Sequence, residues 1–423
     1  MMSISMQNRL NGHYKRSLKS IASGTQTYSK QPCRFVEGVY PEYAHSGKGC
    51  MLYSSDGTAY VDYICGLGTN ILGYAHPRVN EVVKAQIDRG TLFSLPNTRE
   101  IFLAEKIKSM IPSMELVRFL KSGSEAVSAG IKIARAYTGR DMILSNGYHG
   151  WHDWSTPITS NNLGTPEALR AHIEPFEYDD LVELEQLFSL FSGQVACVVL
   201  DPFIFDEPHP EYFQKLIKLA HKNGALVLFD EVVTGIRWSK YAVQNAYGVR
   251  PDLTALGKAT ANGFAMSCIG GKKSIMRVLD KGCFVSSTYG GDLVGISAAL
   301  ATLDVVTSES VPDRLYETGA MLMGGLKDIG IDCQGSPFRQ RLAFVNDITK
   351  ALFWQECVKR GILFGGAQHT SLAHTEFVIE KTLDIAREAW KTCKLYEDNP
   401  KRGLLGKVPQ AVSTISDLRK KHG

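Results

Sequence analysis

Four short apolar runs set the strongest limit on how this chain can fold. Val117-Arg118-Phe119-Leu120, Met142-Ile143-Leu144, Val195-Ala196-Cys197-Val198-Val199-Leu200 and Ala225-Leu226-Val227-Leu228-Phe229 have strand length, and the last two contain no charged residue to turn toward water. Strands of that kind are buried on both faces, as in a parallel sheet covered by helices. Segments of helical period lie between them, such as Tyr212 to His221, closed by Asn223-Gly224. From about Cys65 to Ala301 this alternation predicts an α/β domain. Before it, Gly49–Tyr53 and Ala59–Tyr63 flank the turn Ser55-Asp56-Gly57, a hairpin signal. A helical pattern follows His76-Pro77 through Val79, Val82, Val83 and Ile87. After about Thr307 the pattern changes to a helix over Val311 to Leu326 and a helix-rich C-terminal region. The expected division is a large domain over 65–310 and a smaller one built from 1–64 and 311–423.

At 423 residues there is ample core for two domains, and 44% hydrophobic with 21% charged residues describes an ordinary globular chain. A formal charge of +4 without a long basic run gives no sign of a nucleic-acid partner. Arg419-Lys420-Lys421 reads as a solvated helix end, and a helix is expected around Asn8 to Ser23. The nine cysteines are scattered with no CxxC pair, and the eleven histidines show no HExxH spacing. Reduced thiols, no disulfide frame and no metal centre are therefore expected. Met1 to Arg9 lacks the apolar core of a signal peptide, and no stretch approaches the ~20 apolar residues of a membrane span. These features lead us to expect a cytoplasmic protein without a membrane partner.

The chemistry gathers at strand ends. Ala225–Phe229 runs into Asp230-Glu231, and Pro251-Asp252-Leu253-Thr254-Ala255-Leu256 runs into Gly257-Lys258. Ligands of open α/β sheets sit outside the carboxyl ends of the strands, so an acid ending one strand and a lysine ending another can face one ligand. Pyridoxal 5'-phosphate (PLP) needs that pair: a lysine for the Schiff base and a carboxylate for the pyridine nitrogen. Singly, such an acid is more often a helix cap and such a lysine more often surface. Leu120-Lys121-Ser122-Gly123-Ser124-Glu125 opens a helix running to about Tyr137, and small residues at a helix N-terminus suit a phosphate. Ser122 with Glu125 also fits a plain capping box. Tyr148, in Asn146-Gly147-Tyr148-His149-Gly150-Trp151-His152-Asp153, has an aromatic face that can stack on a pyridine ring. His152 and Trp154 are candidates for the substrate side. Thr288, in Ser286-Ser287-Thr288-Tyr289-Gly290-Gly291, is otherwise an ordinary loop threonine.

In this order the four motifs, with Asn262-Gly263 after the lysine, resemble the class III PLP-dependent aminotransferases over roughly Gly24 to Ala386. The resemblance implies fold type I: a large, mixed, mostly parallel sheet domain with a smaller α+β domain. It implies Lys258 and Asp230 as catalytic residues. Ser122, Gly123 and Ser124 would serve the phosphate, Tyr148 and Val232 the two ring faces, and Glu231 the ring or its hydroxyl side. Thr288 would reach the phosphate in a neighbouring subunit, which implies a homodimer with sites at the interface. Here Gly291-Asp292-Leu293 stands where the family more often has Asn-Pro after the glycine.

Glutamate-1-semialdehyde aminomutases share Leu72-Gly73-Tyr74-Ala75-His76-Pro77 and Ala373-His374-Thr375-Glu376 with this chain. They differ in having a Trp at the position of Leu67, a longer gating loop than 155–175 here, and a substrate arginine matched only by Lys30 or by an offset Arg34. A short loop suits an enzyme that exchanges substrates, so the expected activity is amino transfer from an amino-acid donor to a small aldehyde or keto acceptor. An aminomutase ranks second, a PLP decarboxylase or racemase third. An inactive PLP-fold binding subunit is disfavoured by the intact Lys258 and Asp230. A nicotinamide oxidoreductase is disfavoured because no G-x-G-x-x-G follows the first strand. The tail 395–423 lies beyond the resemblance.

Overall fold

The computed structural model describes residues 12–410, so 8–11 of the expected N-terminal helix and Arg419-Lys420-Lys421 lie outside the described residues. Among the described residues thirteen strands form three sheets. In chain order they are β1 (Ala44–Lys48), β2 (Met51–Ser54), β3 (Ala59–Asp62), β4 (Leu116–Leu120), β5 (Met142–Asn146), β6 (Ile173–Pro175) and β7 (Val195–Leu200). There follow β8 (Leu226–Asp230), β9 (Leu253–Leu256), β10 (Ser267–Gly271), β11 (Asp332–Ser336), β12 (Arg339–Ala343) and β13 (Ile362–Leu363). The chain divides into two compact units, one of 77–313 and one of 12–76 with 314–410.

The larger unit holds the seven-stranded sheet, in the order β4-β10-β9-β8-β7-β5-β6. Parallel pairing joins β9, β8, β7, β5 and β6, while β10 runs antiparallel to both β4 and β9. The sheet is therefore mixed and mostly parallel, as expected for fold type I. Every residue of β5, β7, β8 and β9 is buried, which is why these strands read as continuous apolar runs. Each fully buried Leu, Val or Phe among them contributes ~1.5–3 kcal/mol by leaving water. The sequence pattern did not show β10, because Ser267-Cys268-Ile269-Gly270-Gly271 has neither alternation nor a long apolar run.

The helix Gly123–Thr138 packs on this sheet through its apolar face, including Ala126, Ile131 and Ile133. Gly130 is the point of closest approach: a Cβ there would lie 2.2 Å from Leu228 Cδ1 and 2.9 Å from Ile269 Cδ1. A larger residue there would push the Leu228 and Ile269 side chains aside.

The smaller unit contains the sheet β1-β2-β3-β13, with the expected hairpin paired Met51↔Val61 and Tyr53↔Ala59. Residues 65–76, grouped by the sequence reading with the large domain, pack with this unit. Gly49 and Tyr74 exchange backbone hydrogen bonds at 3.0 and 2.7 Å, and Leu372 N–H donates to Ile71 O at 2.8 Å. The helix Glu376–Leu395 and the chain after it belong here too: Gln355 Nε2 donates to Gly403 O at 2.8 Å and Lys407 pairs with Glu37. Thr375 of the Ala373-His374-Thr375-Glu376 motif is that helix's N-cap, and His374 is buried against Tyr63, so the motif has a local structural role.

Among the described residues no single helix is long and apolar enough to cross a membrane. Substituting Gly130→Val should cost about 1–3 kcal/mol through overpacking between helix and sheet. Urea unfolding of the variant beside the wild type reads this directly.

Candidate active site

Asp230 ends β8, and its register partner on β9 is Ala255, three residues before Lys258. Parallel pairing thus brings the acid and the lysine to the same edge of adjacent strands. Gly257 interrupts the chain after β9, and Lys258 then takes a left-handed backbone, φ 29°. A residue with a long side chain adopts that conformation at a cost of about 1–2 kcal/mol, so the surrounding structure must impose it. Gly257 O anchors the turn by accepting from both Thr260 N–H (2.9 Å) and Thr260 Oγ1 (2.7 Å).

Asp230 is buried, and its two oxygens have different partners. Oδ1 accepts the Val232 N–H at 3.1 Å, whereas Oδ2 lies 2.8 Å from His149 Nδ1. His149 Nε2 sits 2.8 Å from Asn146 O. A carbonyl only accepts, so Nε2 carries its hydrogen and Nδ1 faces the carboxylate. The sequence around His149 gives it no evident role. Its place one residue after Tyr148 at the end of β5 was legible, but its pairing with Asp230 crosses β7 and needed the sheet order.

Tyr148 lies in the same loop with its side chain largely exposed. The pKa of its hydroxyl is raised above the ordinary phenol value, first by desolvation and then by the charge of Asp230. Trp154 Nε1 donates to Ser128 Oγ at 2.8 Å, and the same hydroxyl lies 2.7 Å from His152 Nδ1. These bonds tie His152 and Trp154 to the helix Gly123–Thr138, where the sequence reading had them as a substrate-facing pair.

The start of that helix divides its donors between two uses. Ser122 is the N-cap: its Oγ accepts from Glu125 N–H at 3.3 Å, and Glu125 Oε2 takes the Ser122 N–H at 2.7 Å. The Ser122 hydroxyl also bonds that carboxylate, at 2.9 Å. Its side chain thus forms the capping box that the Ser-x-x-Glu spacing also fits. The amides of Gly123 and Ser124 carry no hydrogen-bond partner among the described residues. Two adjacent free N–H groups at the positive end of a 16-residue helix are chemically matched to a phosphate.

Val232 closes the floor between this cradle and the lysine turn. A Cβ on Gly123 would come 2.7 Å from Val232 Cγ1, and one on Gly257 would come 3.2 Å from it. Gly150, with φ 100°, is equally constrained, since a Cβ there would lie 2.2 Å from Ser124 Oγ. The start of the helix, the Tyr148 loop and the Lys258 turn thus approach one another closely at Gly123, Gly150 and Gly257.

Glu231 is placed elsewhere. Its buried carboxylate accepts from Thr234 Oγ1 (2.5 Å) and the N–H groups of Val243 and Gln244 (3.0 Å each). Burial raises its pKa, and the hydrogen bond from Gln244 N–H is the foremost influence lowering it. Both oxygens hold the 231–244 loop in place. Thr288 lies in the loop before the helix Leu293–Ser308, in contact with neither Asp230 nor His149 among the bonds described. In the smaller unit, the Arg34 guanidinium stacks 3.9 Å from the Tyr28 ring and donates to Gln410 O at 3.2 Å, while Lys30 is exposed.

Comparison with known proteins agrees with this geometry. The family model described as Aminotransferase class-III matches residues 37–341. A glutamate-1-semialdehyde 2,1-aminomutase of Syntrophobacter fumaroxidans is 32% identical over 397 residues, covering 84% of this chain and 92% of that one. A 3-aminobutyryl-CoA aminotransferase of Cloacimonas acidaminovorans is 29% identical over 392 residues, covering 88% and 94%. Among solved structures, the PLP internal aldimine form of Sphingopyxis sp. MTA144 FumI protein has a TM-score of 0.88 at 25% identity, over 95% of this chain and 99% of that one. The chain belongs to the class-III aminotransferase family, whose cofactor is PLP.

Proposed function

We propose that this enzyme transfers an amino group from an amino-acid donor to a small aldehyde or keto acceptor, with Lys258 as the residue that binds PLP and moves the proton. When bound, PLP supplies an electron sink for a carbanion. The chain's own residues do the rest. Asp230 holds a hydrogen at the ring nitrogen, and His149, fixed by Asn146 O, holds Asp230. Gly123 and Ser124 N–H, with Ser124 Oγ, receive the phosphate. Tyr148 and Val232 offer an aromatic and an apolar surface to the ring. The Lys258 amine would hold the cofactor's aldehyde carbon and serve as the base that moves a proton at the substrate. Its strained backbone supports this role, because such strain gathers where a side chain must be aimed.

One observation favours transfer over an aminomutase reaction. The segment 155–175 is short and held at its base: Ile158 is buried in the large unit's core, and Thr156 Oγ1 and Thr165 Oγ1 lie 2.7 Å apart. A loop so held is poorly built to act as a lid that keeps an intermediate captive, and an open site lets donor and acceptor exchange. The test is a single-turnover titration of the PLP-loaded protein with a panel of amino donors, followed by visible absorbance. Conversion by at least one free donor is expected. Lys258→Ala should slow it by at least ~10²-fold, the usual worth of a general base. Failure of every donor, with turnover of a diamino or amino-oxo substrate alone, would favour the aminomutase.

The functional unit is read as a homodimer. Leu92, Phe93, Leu95, Ile101 and Phe102 are exposed along one stretch, near Tyr289 of the Thr288 loop, where Gly291 abuts Glu100. Apolar exposure of that extent marks an interaction surface, and a second copy brings Thr288 toward the neighbouring phosphate. Cytoplasmic residence is supported by nine cysteines held as thiols, seven of them buried. The double variant Leu95→Glu with Phe102→Glu should run as a monomer in light scattering. An unchanged dimer would place the interface elsewhere.

A further inference from the structure

The chemistry above makes no use of an ion pair beside the phosphate cradle, Lys121–Asp292. Asp292 stands in the Gly291-Asp292-Leu293 stretch, where the chain departs from the more common Asn-Pro. The structure shows what the departure builds. Asp292 Oδ2 lies 3.0 Å from Lys121 Nζ and accepts Gly295 N–H at 3.0 Å, while Oδ1 accepts Val294 N–H at 3.3 Å. One carboxylate therefore caps the helix Leu293–Ser308 and holds the ammonium of the residue just before Ser122. Leu293 N–H donates to Thr91 O at 2.8 Å, a bond that proline has no hydrogen to make.

Lys121 is fixed at both ends. Its backbone N–H donates to Glu125 Oε2 at 3.1 Å, within the capping box that sets the first turn of the helix. Its ammonium also reaches Ala265 O at 3.3 Å, close to where Ser267 Oγ donates to Ser122 O at 2.8 Å. The Lys121 and Asp292 side chains are only 17% and 22% exposed, so solvent screens their attraction less than that of a surface pair.

We propose that the Lys121–Asp292 pair is a positioning device for the phosphate-binding amides, locking the cradle at Gly123 and Ser124 to the 286–292 loop. The proposal rests on the cofactor reading given above. It differs from two simpler roles. A plain surface ion pair would leave cofactor affinity untouched. A lysine acting as a free positive charge toward phosphate would bind more strongly once Asp292 no longer neutralised it.

The experiment titrates full-length, cofactor-depleted protein with PLP, and separately with pyridoxal, which lacks the phosphate. Wild type, Lys121→Met, Asp292→Asn and the double variant are compared. Asparagine keeps the helix cap, so Asp292→Asn removes the charge alone. Each single variant should weaken PLP binding by roughly 5- to 20-fold, the double variant by no more than the worse single, as coupled neighbours behave. Pyridoxal binding should stay within about 2-fold throughout, by the same coupling argument. Tighter PLP binding by Asp292→Asn, unchanged affinity in both singles, or equal losses for PLP and pyridoxal would each overturn the proposal. A wild type that bound no PLP would instead refute the underlying cofactor reading.

Discussion

The pairing of β8 with β9 is the contact on which the site depends. Their hydrogen bonds run parallel, Leu228↔Leu253 to Asp230↔Ala255, so both strands end on the same edge. A buried carboxylate and a lysine on a forced turn thereby follow adjacent strands at the same edge. A parallel pair requires a crossover, and a parallel sheet with buried faces requires helices over it. The apolar runs, the covering helix Gly123–Thr138 and the close approach at Gly130 are all consequences of that requirement.

Around this edge the arrangement is held by commitments between polar groups. Glu231 ties its own loop to residues 243 and 244, the Ser122–Glu125 box fixes the start of the helix, and His149 bridges Asn146 O and Asp230. Each bond leaves its partners unable to drift, and removing one end of a buried bond leaves the other unsatisfied at ~1–3 kcal/mol. What stays uncommitted is informative for the same reason. The Gly123 and Ser124 amides and the exposed Tyr148 ring are the groups a phosphorylated aromatic molecule would engage.

Much of this was legible in the sequence because the relevant signals are local. Strand burial appears as apolar runs, a capping box as Ser-x-x-Glu, and a turn between strands as Ser55-Asp56-Gly57. Asp230 and Lys258 could be singled out because each follows such a run. Other features depend on pairings between distant segments. The antiparallel β10 has no pattern of its own, and the Asp230–His149 bond spans 81 residues. Adjacent acids also look alike in a sequence: nothing in Asp230-Glu231 says which faces the edge and which anchors the loop. Ser122 presents the same difficulty, since a cap and a phosphate ligand call for the same hydroxyl, and its bonds to Glu125 appear only in the folded chain.

Residues 65–76 illustrate a different limit. Their composition continues into the α/β region, yet the exchange of hydrogen bonds between Gly49 and Tyr74 assigns them to the smaller unit. The central claim is that Lys258 is the lysine that carries the cofactor. Borohydride reduction of the PLP-loaded protein, followed by peptide mass spectrometry, tests it most directly. A single phosphopyridoxyl adduct on the peptide containing Lys258 is the predicted result. An adduct confined to another lysine, or none on a protein saturated with PLP, would contradict the account.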